Sequence, residues 1–182
     1  DVITEKEIRE LVKKHYGLEA ALTSLPGYEE FNFQLTDPGG KKHVLKIARA
    51  DASLPFLEAQ TAILEHLSKA GTAPCFQQII KNRDGSGITS VKVNGHSFHL
   101  RLLTYLEWTF WVNVSGRNDG LHYSLGRFMA QMDKVLSDFS HPAMHRRYTW
   151  DISTATDNWV LLDAVRDPER KRLAGYFLLQ FE

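Results

Sequence analysis

The order of residue patterns predicts an α+β fold, with a strand-rich first half carrying one main helix and a second half that is almost wholly helical. Three observations carry it. Residues 31–48 and 88–106 alternate or run apolar over strand lengths, and the second stretch breaks at Asn94-Gly95, a strong hairpin signal. Between them, residues 53–71 have the start and stop signals of a helix. From Leu121 onward, Leu125, Phe128, Met129, Met132, Val135, Leu136 and Phe139 recur at 3–4 spacing, one broad apolar stripe.

Thr4 caps a first helix that runs through about His15, with Glu7 completing a capping box and Gly17 ending it. Phe31, Phe33 and Leu35 share one face of a strand, Asp37-Pro38-Gly39-Gly40 turns the chain, and Lys42–Ala48 returns as the second arm. Ser53 caps the main helix, which carries Pro55 in its first turn and stops at Gly71. Ile88–Val93 and Ser97–Leu106 form the second hairpin. After Trp108 the chain turns helical, and a last helix starts at Asp167-Pro168. Asp1 and the ending Gln180-Phe181-Glu182 read as cut points, the latter inside an apolar helical pattern. The predicted division is 1–107 for the strand-rich lobe and 108–182 for the helices that follow. The stripe on residues 121–139 is expected to be buried where it packs. Elsewhere it would leave an apolar patch that drives dimerisation or aggregation.

With 182 residues and 43% hydrophobic content, the chain has enough apolar surface for one domain or a compact two-lobed unit. Lys plus Arg number 22 and Asp plus Glu 22, so no net field steers it to nucleic acid or to an anionic membrane. The single Cys75 excludes an internal disulfide and suits a reducing, cytoplasmic setting. No run has membrane-spanning length, and no signal-peptide pattern follows Asp1.

The most informative residue is Lys46 in "HVLKIARAD", residues 43–51. Val44, Leu45, Ile47 and Ala48 surround its ammonium with apolar side chains, and a buried cation is costly without a partner. One turn into the next helix Glu58 offers a carboxylate, so a Lys46–Glu58 ion pair is expected. Alternatively, Lys46 lies at the strand edge and reaches water, with Glu58 merely solvent-facing. Upstream, in "SLPGYEEFNFQL", Gly27 opens a loop and Asn32 opens the strand after it; downstream, "HLRLLTYLEW" is an apolar strand that leads towards helix.

Loop, strand lysine, helix glutamate, hairpin and helices follow one another in the order found in protein kinases. "GYEEFNFQL", "HVLKIA", "LEAQTAILEHL", "LRLLTYLE", "LGRFMAQMDKVL" and "HPAMHRRYTWDI" together resemble the aminoglycoside phosphotransferase and choline kinase family, nearest to its hydroxylysine-kinase-like members. The resemblance implies a protein-kinase-like N-lobe, an antiparallel sheet plus one main helix, followed by an incomplete helical C-lobe. It implies that Lys46 contacts ATP phosphates and that Glu58 positions it. Gly27, Tyr28 and Asn32 would belong to the phosphate-covering loop, and Thr104, Tyr105 and Leu106 to the adenine hinge. The cofactors implied are ATP and Mg²⁺, and the partner is a small-molecule hydroxyl substrate.

Two departures stand against the family pattern. Trp108 follows Glu107 where a glycine is common, and would crowd the cleft mouth. The catalytic loop, H-x-D-x-x-x-x-N, and the later metal-binding aspartate occur nowhere in residues 1–182, and Asp151 in "TWDI" lacks the neighbours to replace them. No catalytic residue and no metal ligand is therefore assigned, and the chain is expected to bind ATP weakly or not at all. His141 and His145 have a metal-ligand spacing, but Pro142 disfavours a helix there and no third ligand is evident. "HYSLG" at 122–126 lacks the first glycine of a nucleophile elbow, leaving Ser124 as a helix-surface hydroxyl. "DGSGITS" at 84–90 reads as a hairpin turn. Arg146, Arg147, Arg166, Arg170, Lys171 and Arg172 read as a solvated face. Two function classes remain. One is a truncated kinase that phosphorylates a hydroxyl of a small amine or amino-alcohol. The other is a non-catalytic kinase-like module that binds or regulates within a larger, aminotransferase-fused protein.

Overall fold

A computed structural model describes residues 3–49, 51–72, 76–116, 118–148 and 151–181. Cys75 lies outside them. By contacts the chain divides into two compact units, Asp1–Ala143 and Met144–Glu182.

The first unit opens with α1, Glu5–Tyr16. Thr4 Oγ1 accepts from the Glu7 N–H at 3.3 Å, and the Glu7 carboxylate accepts from the Thr4 N–H at 2.7 Å, completing the expected capping box. Gly17 ends the helix at φ 68°, a left-handed conformation that suits glycine. The strands are β1 (Ala21–Leu25), β2 (Phe31–Thr36), β3 (Lys42–Arg49), β4 (Ile79–Ile80), β5 (Thr89–Val93) and β6 (His96–Thr104). They form one antiparallel sheet in the order β1-β2-β3-β6-β4, with β5 also paired to β6. Asn94 at φ 51° and Gly95 at φ 83° make the tight β5–β6 turn that their dipeptide predicts. The main helix α2 is Leu54–Leu67, with Ser53 as its N-cap and Pro55 in its first turn.

The register explains where the core sits. Leu45 lies opposite Phe33 and Leu102, and Ile47 opposite Phe31 and Leu100, so these side chains share one face. With Leu35 and Phe98 they close against Ile8 and Val12 of α1 as a buried cluster. Full burial of each such side chain contributes about 1.5–3 kcal/mol. The opposite face carries Asn32, Lys46 and Arg101 directly in line. Helix α2 lies towards this second face, where Gln60 is hydrogen-bonded to Arg101.

Helix α3, Asp119–Leu136, is capped by the Asn118 side chain and belongs to the same unit. It meets the end of α2 through His66 Nε2 at 2.8 Å from the Val135 carbonyl. Phe128 stacks on Phe76 with centroids 5.4 Å apart. The stripe is only half-buried there, and Leu125 and Met129 are exposed, so the expected burial extends to one edge of the stripe. In the second unit a 3-10 segment, Ile152–Ala164, packs with α4, Pro168–Leu178, with Gly175 near Trp159 and Leu162.

Three elements went unread in the sequence. β1 is a short edge strand with mostly exposed side chains, and β4 has only two residues; both exist through pairing with neighbours. The 3-10 segment lacks a helical stripe and starts on the Asp151 side chain, which accepts from the Ser153 N–H.

Candidate functional site

Lys46 sits mid-strand on the face turned away from the hydrophobic cluster, with Asn32 and Arg101 directly beside it. Its Nζ donates to Glu30 Oε2 at 2.8 Å. The other carboxylate oxygen, Oε1, accepts from Arg101 Nη2 at 2.6 Å, and Arg101 Nη1 donates to Gln60 Oε1 at 2.7 Å. The Arg101 side chain is only 3% exposed, so Glu30 supplies the counter-charge that such a cation needs. Two cations against one carboxylate leave a net charge of about +1 at this point of the sheet. Burial works against the charged form of Glu30, but the hydrogen bond from Lys46 and the charges of Arg101 and Lys46 outweigh it. They hold its pKa below the ordinary 4.5.

The expected Lys46–Glu58 pair is thereby corrected. Glu58 is exposed and turns into a shallow groove of about 310 Å³ with Thr61, Ser86 and Ser90. On α2 the buried positions are Leu57, Ala59 and Leu67, and Gln60 reaches Arg101, whereas Glu58 points to the exposed side. Gln60 thus takes the inward position on α2, and the carboxylate comes from the loop before β2.

The loop itself is tight. A Cβ on Gly27 would lie 2.1 Å from the Glu30 carbonyl oxygen and 2.7 Å from Asn32 Nδ2, so the chain's approach to itself requires glycine. Asn32 Nδ2 donates to the Pro26 carbonyl at 3.1 Å, while Asn32 Oδ1 is buried with no hydrogen bond. Tyr28 is largely exposed on the loop. At the far end of β6, the Thr104 N–H donates to the Gln78 carbonyl at 2.9 Å and its carbonyl accepts from Gln77 Nε2 at 3.3 Å. Tyr105 stacks on Trp108 with centroids 5.8 Å apart, and Lys42, paired to Glu107 at 2.7 Å, lies over the Tyr105 ring. Leu106 is half-buried beside them in sequence.

The other sequence candidates are accounted for locally. Ser124 Oγ donates to the Gly120 carbonyl on the surface of α3. The turn at 82–86 is organised by Asn82, whose Oδ1 accepts from the N–H groups of Asp84 and Ser86. His141 Nδ1 accepts from the Ala143 N–H. Among the basic residues, Arg147 pairs with Asp157 and Lys171 with Asp163, all largely exposed. Among the described residues no three His, Cys, Asp or Glu side chains converge on a point that could hold a metal ion.

The sequence profile of the phosphotransferase enzyme family matches residues 22–179. The chain belongs to this family. The match runs from β1 through α4, so it spans the Lys46 face, the loop before β2 and the helices after β6. Among curated relatives, this phosphotransferase-family chain is 28% identical to hydroxylysine kinase of Mus musculus, over 83% of this chain and 44% of that protein. It is 29% identical to hydroxylysine kinase of Bos taurus over the same shares, so it spans less than half the length of the relatives it matches. Among solved structures, an amicoumacin kinase in complex with AMP-PNP, Ca²⁺ and Ami shares its fold. The TM-score is 0.65 at 17% identity, over 99% of this chain and 55% of that one. A microcompartment-associated aminopropanol kinase gives a TM-score of 0.56 at 19% identity, over 81% and 45%. The kinase-like α+β fold expected from the sequence is the fold of this family member.

Proposed function

We propose that this chain is the nucleotide-binding part of a small-molecule kinase that passes the ATP γ-phosphate to a hydroxyl of a small amine or amino-alcohol. The observation that carries the reading is the Lys46 ammonium, which stands on the sheet face away from the core beside a glycine-dependent loop, in a family of phosphotransferases. Lys46 is 29% exposed and uses one of its N–H donors on Glu30, so it can also meet an incoming phosphate. Gly27, Tyr28 and Asn32 would cover that phosphate, and Tyr105 and Leu106, following Thr104, would flank the base. Residues 1–107 form the nucleotide lobe in this reading, and 108–182 the first helices of a second lobe. The setting is cytoplasmic, where ATP is supplied. Among the described residues no helix is long and apolar enough to cross a membrane.

The donor set fits a nucleotide phosphate, since Lys46 keeps N–H donors beyond the one it gives to Glu30. It does not fit Mg²⁺, for which no ligand group is assembled among the described residues, so no step is routed through a metal. The acceptor class follows from the kinases this chain is similar to, named for hydroxylysine, amicoumacin and aminopropanol. The test is ATP turnover with a panel of small amino-alcohols, for this chain and for a longer one reaching the length of the relatives. The expected result is turnover by the longer chain alone, abolished by Lys46→Met. Turnover by this chain that survives Lys46→Met would sink the reading. A second reading is a non-catalytic kinase-like module within a larger protein, which the loss of H-x-D-x-x-x-x-N from the longer chain would favour. Silence from both chains would select it.

A further inference from the structure

The geometry points to Glu30 as the positioning residue for Lys46, acting at the end of a relay, Gln60–Arg101–Glu30–Lys46, that links helix α2 to the amine. The inference rests on the nucleotide reading above. It replaces a direct helix carboxylate with a carboxylate from the loop that would lie over the phosphates.

Each link has a defined share. Arg101 is too buried to reach a ligand; its Nη1 is held by Gln60 at 2.7 Å and its Nη2 by Glu30 at 2.6 Å, while its Nε is buried with no hydrogen bond. Its part is to hold Glu30. Glu30 is held through Oε1 and is therefore not free to rotate when its Oε2 meets Lys46 at 2.8 Å. An ammonium has three N–H donors, and one of them is committed here, so carboxylate and phosphate can share Lys46. The loop is pinned at its own base by Asn32 on the Pro26 carbonyl and by the glycine-only approach of residue 27 to Glu30. Loop position and lysine position are consequently one variable: moving α2 shifts Gln60, and the shift passes through Arg101 to the loop and the amine together. Glu58, which faces the groove beside Ser86 and Ser90, takes no part.

The experiment compares the affinities of this chain for AMP-PNP and for adenosine, read by NMR titration at millimolar ligand so that weak binding is measurable. Lys46→Met defines how much of the AMP-PNP affinity comes from the phosphates. Glu30→Gln is expected to lose about tenfold for AMP-PNP, the scale of one charge-assisted hydrogen bond, with adenosine unchanged. Glu30→Asp recovers part of the loss, Gln60→Ala shows a smaller one, and Glu58→Gln binds as wild type does. A Glu30→Gln chain that binds AMP-PNP as tightly as wild type, or tighter, overturns the inference, because the carboxylate would then be idle or a competitor of the phosphate. Equal losses for both ligands overturn it too, by reducing Glu30 to a structural ion pair. If Glu30→Gln does not fold by circular dichroism, Glu30→Gln with Arg101→Met removes both halves of the buried pair, and the same phosphate-specific loss is expected. Wild type binding AMP-PNP no better than Lys46→Met sinks the nucleotide reading itself, and the relay falls with it. That failure shows in the Lys46 comparison alone, before any Glu30 variant is measured.

Discussion

The strand-rich region and the helices after it carry apolar patterns of similar strength but differ in what covers them. Among the described residues, every fully buried side chain lies between Ile8 and Leu103; α3, the 3-10 segment and α4 have none. The sheet has α1 on one face and α2 towards the other, so the apolar residues of its central strands meet partners within the same unit. An amphipathic helix supplies one side of an interface only, and its shape forms whether or not the other side is met. Pattern therefore reports a tendency to be buried, and burial itself depends on a second surface.

The largest expected effect lies in the sheet. Phe98→Ala should cost about 3–5 kcal/mol in urea unfolding, since Phe98 is essentially fully buried in the cluster. A loss under about 1 kcal/mol would mean that this region is no better packed than the helices.

Acid should separate the two faces of the sheet. Burial and nearby Lys41 push His43 below its ordinary 6.5, against the pull of Asp37 at 3.8 Å. Its folded pKa is depressed, so the unfolded chain takes the proton first. The stability is present above 6.5 and is lost as pH falls below it. Glu30, also depressed, adds a second loss that starts below 4.5. His43→Gln should flatten the upper part of the stability–pH curve and Glu30→Gln the lower; a curve that neither variant alters would remove both assignments.

Smaller effects belong to α3. Phe128→Ala should cost about 1–2 kcal/mol, the half-buried share of an aromatic pair with Phe76. Met129→Ser, at an exposed position, should change stability by no more than about 0.5 kcal/mol but weaken self-association in sedimentation velocity. A wild-type chain that stays monomeric at high concentration would show that the exposed stripe is not sticky.

Much of this was legible beforehand where the signal was local. The Thr4 capping box, the Asn94-Gly95 turn and the Ser53 cap are short-range hydrogen-bond or φ/ψ requirements, and each holds as its residues predict. β1 and β4 were not legible, because their evidence lies in the strands they pair with. The site was half legible. Lys46 stood out as a cation among apolar neighbours, but its partner had to be chosen across space, and proximity in the chain favoured the wrong carboxylate. Apolar residues occur nearly all round α2, so its pattern does not separate Gln60 from Glu58. Nothing local marks Glu30, since its role depends on Arg101, 71 residues away.

The attachments of α1 carry a consequence for how the chain is made. Glu7, which caps the helix, also accepts from Asn94 Nδ2 at 2.8 Å; the His15 carbonyl accepts from the Arg83 N–H at 2.8 Å; and Tyr16 Oη lies 3.1 Å from Thr89 Oγ1. All three tethers come from residues synthesised long after the helix. At roughly 5–20 residues per second, α1 leaves the ribosome several seconds before these three tethers. Until β2 and β3 follow with Leu35, Leu45 and Ile47, it is a single short amphipathic helix, marginal in water by itself. Helix α1 is thus made well before its polar tethers, and the β5–β6 hairpin supplies the last of them.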